Sequence, residues 1–77
     1  QVSVRGDLLI ATLNDMFDLD LPHGRSRTIG GLVMEELGRI PKVGDEVAID
    51  GIRLRVEAVE HHSVARVRVF PGAGGAA

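Results

Sequence analysis

Residues Thr28 to Gly51 read TIGGLVMEELGRIPKVGDEVAIDG, and the order of signals in this stretch decides the fold. Thr28 is the expected N-cap of a helix, because its hydroxyl can accept a hydrogen bond from an amide of the first turn; Ser26 is the competing candidate. Ile29, Leu32, Val33 and Leu37, with Met34 less neatly placed, make one apolar stripe at helical spacing, and Glu35, Glu36 and Arg39 face water. Gly38 is placed to close the helix in the left-handed conformation, with Arg39 near the negative end of the helix dipole. Ile40 precedes Pro41 and is therefore expected to be extended. Lys42 to Asp45 (KVGD) is a turn, after which Glu46 to Asp50 alternates polar and apolar residues. Asp50-Gly51 is the signature of a two-residue type I′ hairpin. It sets Ile49 opposite Ile52 and Val47 opposite Leu54, so both strands agree on a buried face.

Downstream, the strand that starts at Ile52 continues through Leu54, Val56 and Ala58. A turn around His61, His62 and Ser63 leads to a last strand with Ala65, Val67 and Val69 expected to face inward. Matching faces places Val56 opposite Val67 and Leu54 opposite Val69. On the outer side, Arg55 is expected between Glu46 and Arg68, and Glu57 opposite Arg66. Upstream, Val2 and Val4 mark a short first strand that ends in the turn Gly6-Asp7. Ile10, Leu13, Met16 and Phe17 form the stripe of a brief helix, with Thr12, Asn14, Asp15 and Asp18 facing water. Leu19 and Leu21 alternate with Asp20 until Pro22, and His23 to Arg27 (HGRSR) is a polar connection. The expected fold is α+β, ordered β-α-α-β-β-β, with two helices covering one face of an antiparallel sheet. Residues 1–70 form the domain, and the low-complexity tail 71–77 (PGAGGAA) is expected to be flexible.

The bulk of the chain narrows the function. Its 77 residues make one domain near the lower limit for folding without staples, and there is no cysteine to supply one. The core must come from Val, Ile and Leu, since there are two Phe and no Trp or Tyr. That scarcity speaks against stacking platforms for nucleic acid and against aromatic-lined ligand pockets. A net charge of −2 with mixed signs also argues against a general nucleic-acid partner. No apolar run approaches the roughly 20 residues that span a bilayer, so direct membrane insertion by these residues is not expected. The start at Gln1, in a strand and without an initiator Met, is expected of a piece of something longer.

Three groups of residues are candidates for a site. Gly30-Gly31 at the start of the second helix, with Thr28, Arg25 and Arg27 beside them, could hold an anion on helix N-terminal amides. Neither a GxGxxG nor a P-loop pattern is present, and close packing of the helix is the simpler account of the two glycines. Arg53, Arg55, Arg66 and Arg68 lie on the outer face of the sheet, either as a solvated ion-paired surface or as a docking face for an acidic partner. His61 and His62 stand next to Glu60 at a hairpin tip without an obvious third ligand, and His23 is isolated, so no metal site is expected. No nucleophile has a base in a recognisable pattern, and catalysis is not expected.

Several words in this sequence, in this order, resemble the CorC/HlyC transporter-associated domain. They are Leu13-Asn14, Leu19-Asp20-Leu21-Pro22, Thr28 with Gly30-Gly31-Leu32, Gly38-Arg39-Ile40-Pro41, Gly44-Asp45 and Asp50-Gly51, and the resemblance covers Val4 to Val69. One departure is Asp18, where members often carry Gly. The resemblance implies an accessory domain that follows a transmembrane region and a CBS pair on the cytoplasmic side of an inner or plasma membrane. The parents are linked to magnesium and cobalt efflux, and some are haemolysin-like; the module is thought to modulate ion transport. The fold is similar to a domain of FAD-binding oxidoreductases, so a flavin or adenine-nucleotide sensor is one alternative by resemblance, although no residue set here would grip FAD and no cofactor is expected. A second alternative is a dimerisation domain that uses the sheet edge or the outer-face residues Val59 and Phe70. The expected partners are the other domains of the parent chain.

Overall fold

The β-branched alternation in the second half of the chain becomes an antiparallel sheet in a computed structural model that describes residues 1–22 and 25–70. The elements are β1 (Val2–Arg5), α1 (Ile10–Phe17), α2 (Ile29–Leu37), β2 (Glu46–Ile49), β3 (Ile52–Glu60) and β4 (Ser63–Phe70). Across the sheet the strands run β1-β4-β3-β2, so the first and last strands pair and β1 and β2 form the edges. The expected tail at 71–77 and the isolated His23 lie outside the described residues.

The hairpin register is the expected one: Ile49 faces Ile52 and Val47 faces Leu54. Asp50 and Gly51 both have positive φ (51° and 83°), as a type I′ turn requires. Leu54 faces Val69, Val56 faces Val67, and Arg55 lies between Glu46 and Arg68. Beyond Val56 the regular register fails. Ala58 pairs with Arg66 and Val59 with Val64, which puts one extra residue on β3 and then a compensating one on β4. Three expectations change as a result. Val64 is buried in place of Ala65, Val59 packs against the core instead of standing on the outer face, and Glu57 is not opposite Arg66.

One core forms between the helices and the inner face of the sheet. Ile10 and Leu13 of α1 and Ile29, Leu32 and Val33 of α2 meet Val4, Leu54, Val56, Val67 and Val69. Met16, expected in the stripe of α1, is 58% exposed. Ile10 and Leu13 are the buried residues of this eight-residue helix, Phe17 packs partly buried against the core, and Leu21 from the following segment enters it at 1% exposure. Asn14 is what holds that segment in. Its Nδ2 donates to Leu21 O at 3.0 Å and its Oδ1 accepts from Leu21 N at 2.9 Å, so it faces the chain and not water. Two such bonds mimic a rung of a β-ladder and fix the backbone where Leu21 enters the core.

Caps set the limits of α2. Thr28 is the N-cap, its hydroxyl accepting from Gly31 N at 3.1 Å, and Gly38 closes the helix at φ 67°. Beyond it, Arg39 and Asp45 form a two-pronged ion pair with both contacts at 2.9 Å, and Asp45 also accepts from Lys42 N at 2.8 Å. This closes the loop from Gly38 to Asp45 while Ile40 and Val43 remain exposed.

Candidate functional site

The N-terminus of α2 is where an anion was one of two readings, and its amides all have acceptors inside the chain. Ile29 N donates to Leu8 O at 2.9 Å, Gly30 N to Gly6 O at 2.8 Å, Gly31 N to Thr28 Oγ1 and Leu32 N to Thr28 O at 3.0 Å. Arg25 and Arg27 are exposed, and Arg25 N donates to the carboxylate of Glu35 at 3.2 Å. The glycines make close contacts instead. A Cβ on Gly30 would lie 2.9 Å from both Gly6 O and Val64 O, and one on Gly6 would lie 2.0 Å from Val64 O. The helix therefore sits directly on sheet backbone. That is the close approach that a missing side chain permits.

His61 and His62 form the two-residue turn between β3 and β4, both exposed and both with positive φ (50° and 65°). Among the described residues no group of three His, Cys, Asp or Glu is arranged to hold a metal ion.

The outer face of the sheet is the most organised polar surface. Alternation along β3 and β4 puts Arg53, Arg55, Arg66 and Arg68 on one side, and pairing aligns them in rows. One row runs Ser3, Arg68, Arg55, Glu46 across all four strands; another sets Arg53 beside Phe70; Arg5 faces Arg66 at the end. Glu46 contacts Arg55 at 2.6 Å and Arg53 at 3.7 Å. The guanidiniums of Arg53 and Arg55 lie 4.5 and 5.2 Å from the centre of the Phe70 ring, in cation–π contact. Glu57 reaches Arg68 Nε at 2.6 Å on one oxygen and accepts from the Ser3 hydroxyl at 2.5 Å on the other. Those two bonds, the Ser3 hydroxyl first, hold the Glu57 carboxyl below its ordinary value. The one side-chain hydrogen bond of Arg66 among the described residues is to Ser3 Oγ, at 3.3 Å.

The roles of Ser3 and Phe70 on this face were missed from sequence. Phe70 was legible, because Leu54 opposite Val69 places Arg53 opposite Phe70. Ser3 was not, because nothing local says that β1 crosses to pair with β4.

A family model described as a transporter associated domain, CorC_HlyC, matches residues 1–73. The chain belongs to this family. Among the curated relatives of the domain, protein YegH of Escherichia coli is 48% identical over 70 residues, covering 90% of this chain and 13% of that protein. The magnesium and cobalt efflux protein CorC of Buchnera aphidicola is 31% identical over 67 residues, covering 87% and 23%. The chain thus spans less than a quarter of the length of these relatives. A haemolysin domain from Enterococcus faecalis, solved by crystallography, superposes with a TM-score of 0.81 at 30% identity, covering 91% of this chain and 92% of that one. The two helices and four antiparallel strands described above are the architecture of this CorC_HlyC domain family. No helix among the described residues is long and apolar enough to cross a membrane.

Proposed function

We propose that this CorC_HlyC domain is a non-catalytic accessory module of a larger magnesium and cobalt efflux protein, where it modulates ion transport through contacts with the rest of that protein. The observation that carries the reading is the family match across nearly the whole chain, together with relatives that are named efflux proteins and are several times longer. The chemistry on the surface agrees with a contact role. Among the described residues its polar clusters are ion pairs and caps. The partners in this reading are a CBS pair and a transmembrane region, with the module on the cytoplasmic side.

The test is made in the full-length parent protein in its own membrane. Deleting the segment that corresponds to residues 1–70 is expected to leave the protein inserted while changing magnesium and cobalt efflux and the cobalt tolerance of the cells. Unchanged efflux and tolerance at equal protein levels refute the proposal.

A further inference from the structure

We infer that the open face of the sheet is a docking surface for an acidic polypeptide segment, bound through the guanidiniums of Arg55, Arg66 and Arg68. The face gathers five arginines (Arg5, Arg53, Arg55, Arg66, Arg68) against four carboxylates, Asp7, Glu46, Glu57 and, at its far end opposite Ser63, Glu60. It therefore carries one positive charge in excess, whereas the remaining seven acidic and four basic residues leave the rest of this chain negative. Residues 71–77 carry no acidic side chain that could neutralise it.

Like charges placed directly opposite on neighbouring strands destabilise a sheet, yet Arg55 faces Arg68 and Arg5 faces Arg66. The carboxylates beside Arg55 and Arg68 are already engaged: both oxygens of Glu57 are occupied, and Glu46 bridges two arginines. A guanidinium has five N–H donors in a planar fork. Arg66 uses one, on Ser3, and Arg68 uses Nε on Glu57 and one Nη1 donor on Gln1, so donors remain on both, pointing from a face with no helix over it. Glu46, Glu57 and the Phe70 ring pin the arginines they touch, which lowers the ordering cost when a ligand binds. Forks held at strand spacing suit successive carboxylates of a peptide, each able to take two parallel N–H bonds.

Other occupants fit less well. A second copy would offer its acidic helix side, with Asp15, Asp18, Glu35 and Glu36 exposed, but face-to-back contacts of that kind do not close and would build open chains. An anionic bilayer would meet the fixed carboxylates of Glu46 and Glu57 and only one charge in excess, a weak surface attraction.

The test titrates the 77-residue chain with an octaglutamate peptide, followed by NMR of arginine Nε–Hε groups and the Phe70 ring. Octaglutamine and phosphatidylserine vesicles serve as comparison ligands, and sedimentation reports the oligomeric state. Expected are shifts at Arg55, Arg66, Arg68 and Phe70 with octaglutamate alone. Arg66→Gln with Arg68→Gln should weaken binding about tenfold or more, the loss of one or two charge-assisted hydrogen bonds. Arg25→Gln with Arg27→Gln removes the same charge elsewhere and should leave affinity within about twofold, since exposed distant charges are largely screened at about 0.15 M salt. Arg66→Gln alone, at an exposed position, carries the test if the double variant loses its fold. Shifts centred on Arg25, Arg27 or Arg39, equal loss in both double variants, equal binding of vesicles, concentration-dependent growth in mass, or no shifts at all would each overturn the proposal.

Discussion

Replacing Gly30 by alanine puts the account of the α2 N-terminus to its hardest test. Helix propensity alone favours the change, since alanine is better than glycine by about 1 kcal/mol in a helix interior. The added Cβ, however, would stand 2.9 Å from the carbonyl oxygens of Gly6 and Val64, and both are backbone atoms. Gly6 O also accepts from Gly30 N at 2.8 Å, so the helix cannot lift away without stretching that bond. Overpacking of this kind costs about 1–3 kcal/mol, and weakening one buried hydrogen bond adds about 1 kcal/mol. The propensity gain offsets part of this, leaving Gly30→Ala less stable by about 1–3 kcal/mol. Gly31→Ala is the internal control. Its nearest neighbours are Oγ and Cβ of Ser26, at 2.6 and 2.7 Å, and Ser26 is a half-exposed side chain that can turn aside. Its change should stay within about 1 kcal/mol of zero. Urea unfolding followed by far-ultraviolet circular dichroism is the suitable assay, because the chain has neither Trp nor Tyr. With a slope of about 1 kcal/mol per molar urea, the Gly30→Ala midpoint should fall by about 1–3 M. A Gly30→Ala protein as stable as the parent, or Gly31→Ala as the more damaging change, would refute close packing as the reason for Gly30.

Two further outcomes follow from the same geometry. Asn14→Ala leaves both backbone groups of Leu21 without their partners and should destabilise by about 1–3 kcal/mol, with faster amide exchange at Leu21 as the local readout. Acid sensitivity should centre on Asp45 and Glu57, whose carboxyls are held below their ordinary values, Asp45 by the Arg39 pair and then the Lys42 amide. For depressed carboxyls the unfolded chain takes up protons first, so the stabilisation is fully present above the ordinary carboxylate range and is lost as pH falls through the lower folded values. The unfolding midpoint should therefore drop on acidification, and Asp45→Asn with Glu57→Gln should flatten that drop.

Local signals carried most of the fold. Thr28, Gly38, Pro41 and Asp50-Gly51 each act within a few residues, through a capping bond, a left-handed backbone or a fixed φ, and so they can be read in order along the chain. The departure at Asp18 has the same kind of explanation: the residue caps α1 at φ 55°, a conformation glycine adopts without strain. The hairpin Asp50-Gly51 set the register, and the register placed Arg55, Arg68 and Glu46 in one row.

What required the tertiary structure was everything that depends on partners distant in sequence. β1 pairs with β4 across more than sixty residues, and only that pairing brings Ser3 to Glu57. The compensating bulges turn Val64 inward and send Glu57 to Arg68, which no alternation of residue types encodes. Asn14 looked like a solvent-facing helix residue until Leu21 folded back onto it. Gly30-Gly31 had two readings because a bare amide and a close approach ask for the same residue type. The position of Gly6 and Val64 beneath the helix explains Gly30 as packing, since the carbonyls that crowd the missing Cβ include the one that accepts the Gly30 amide.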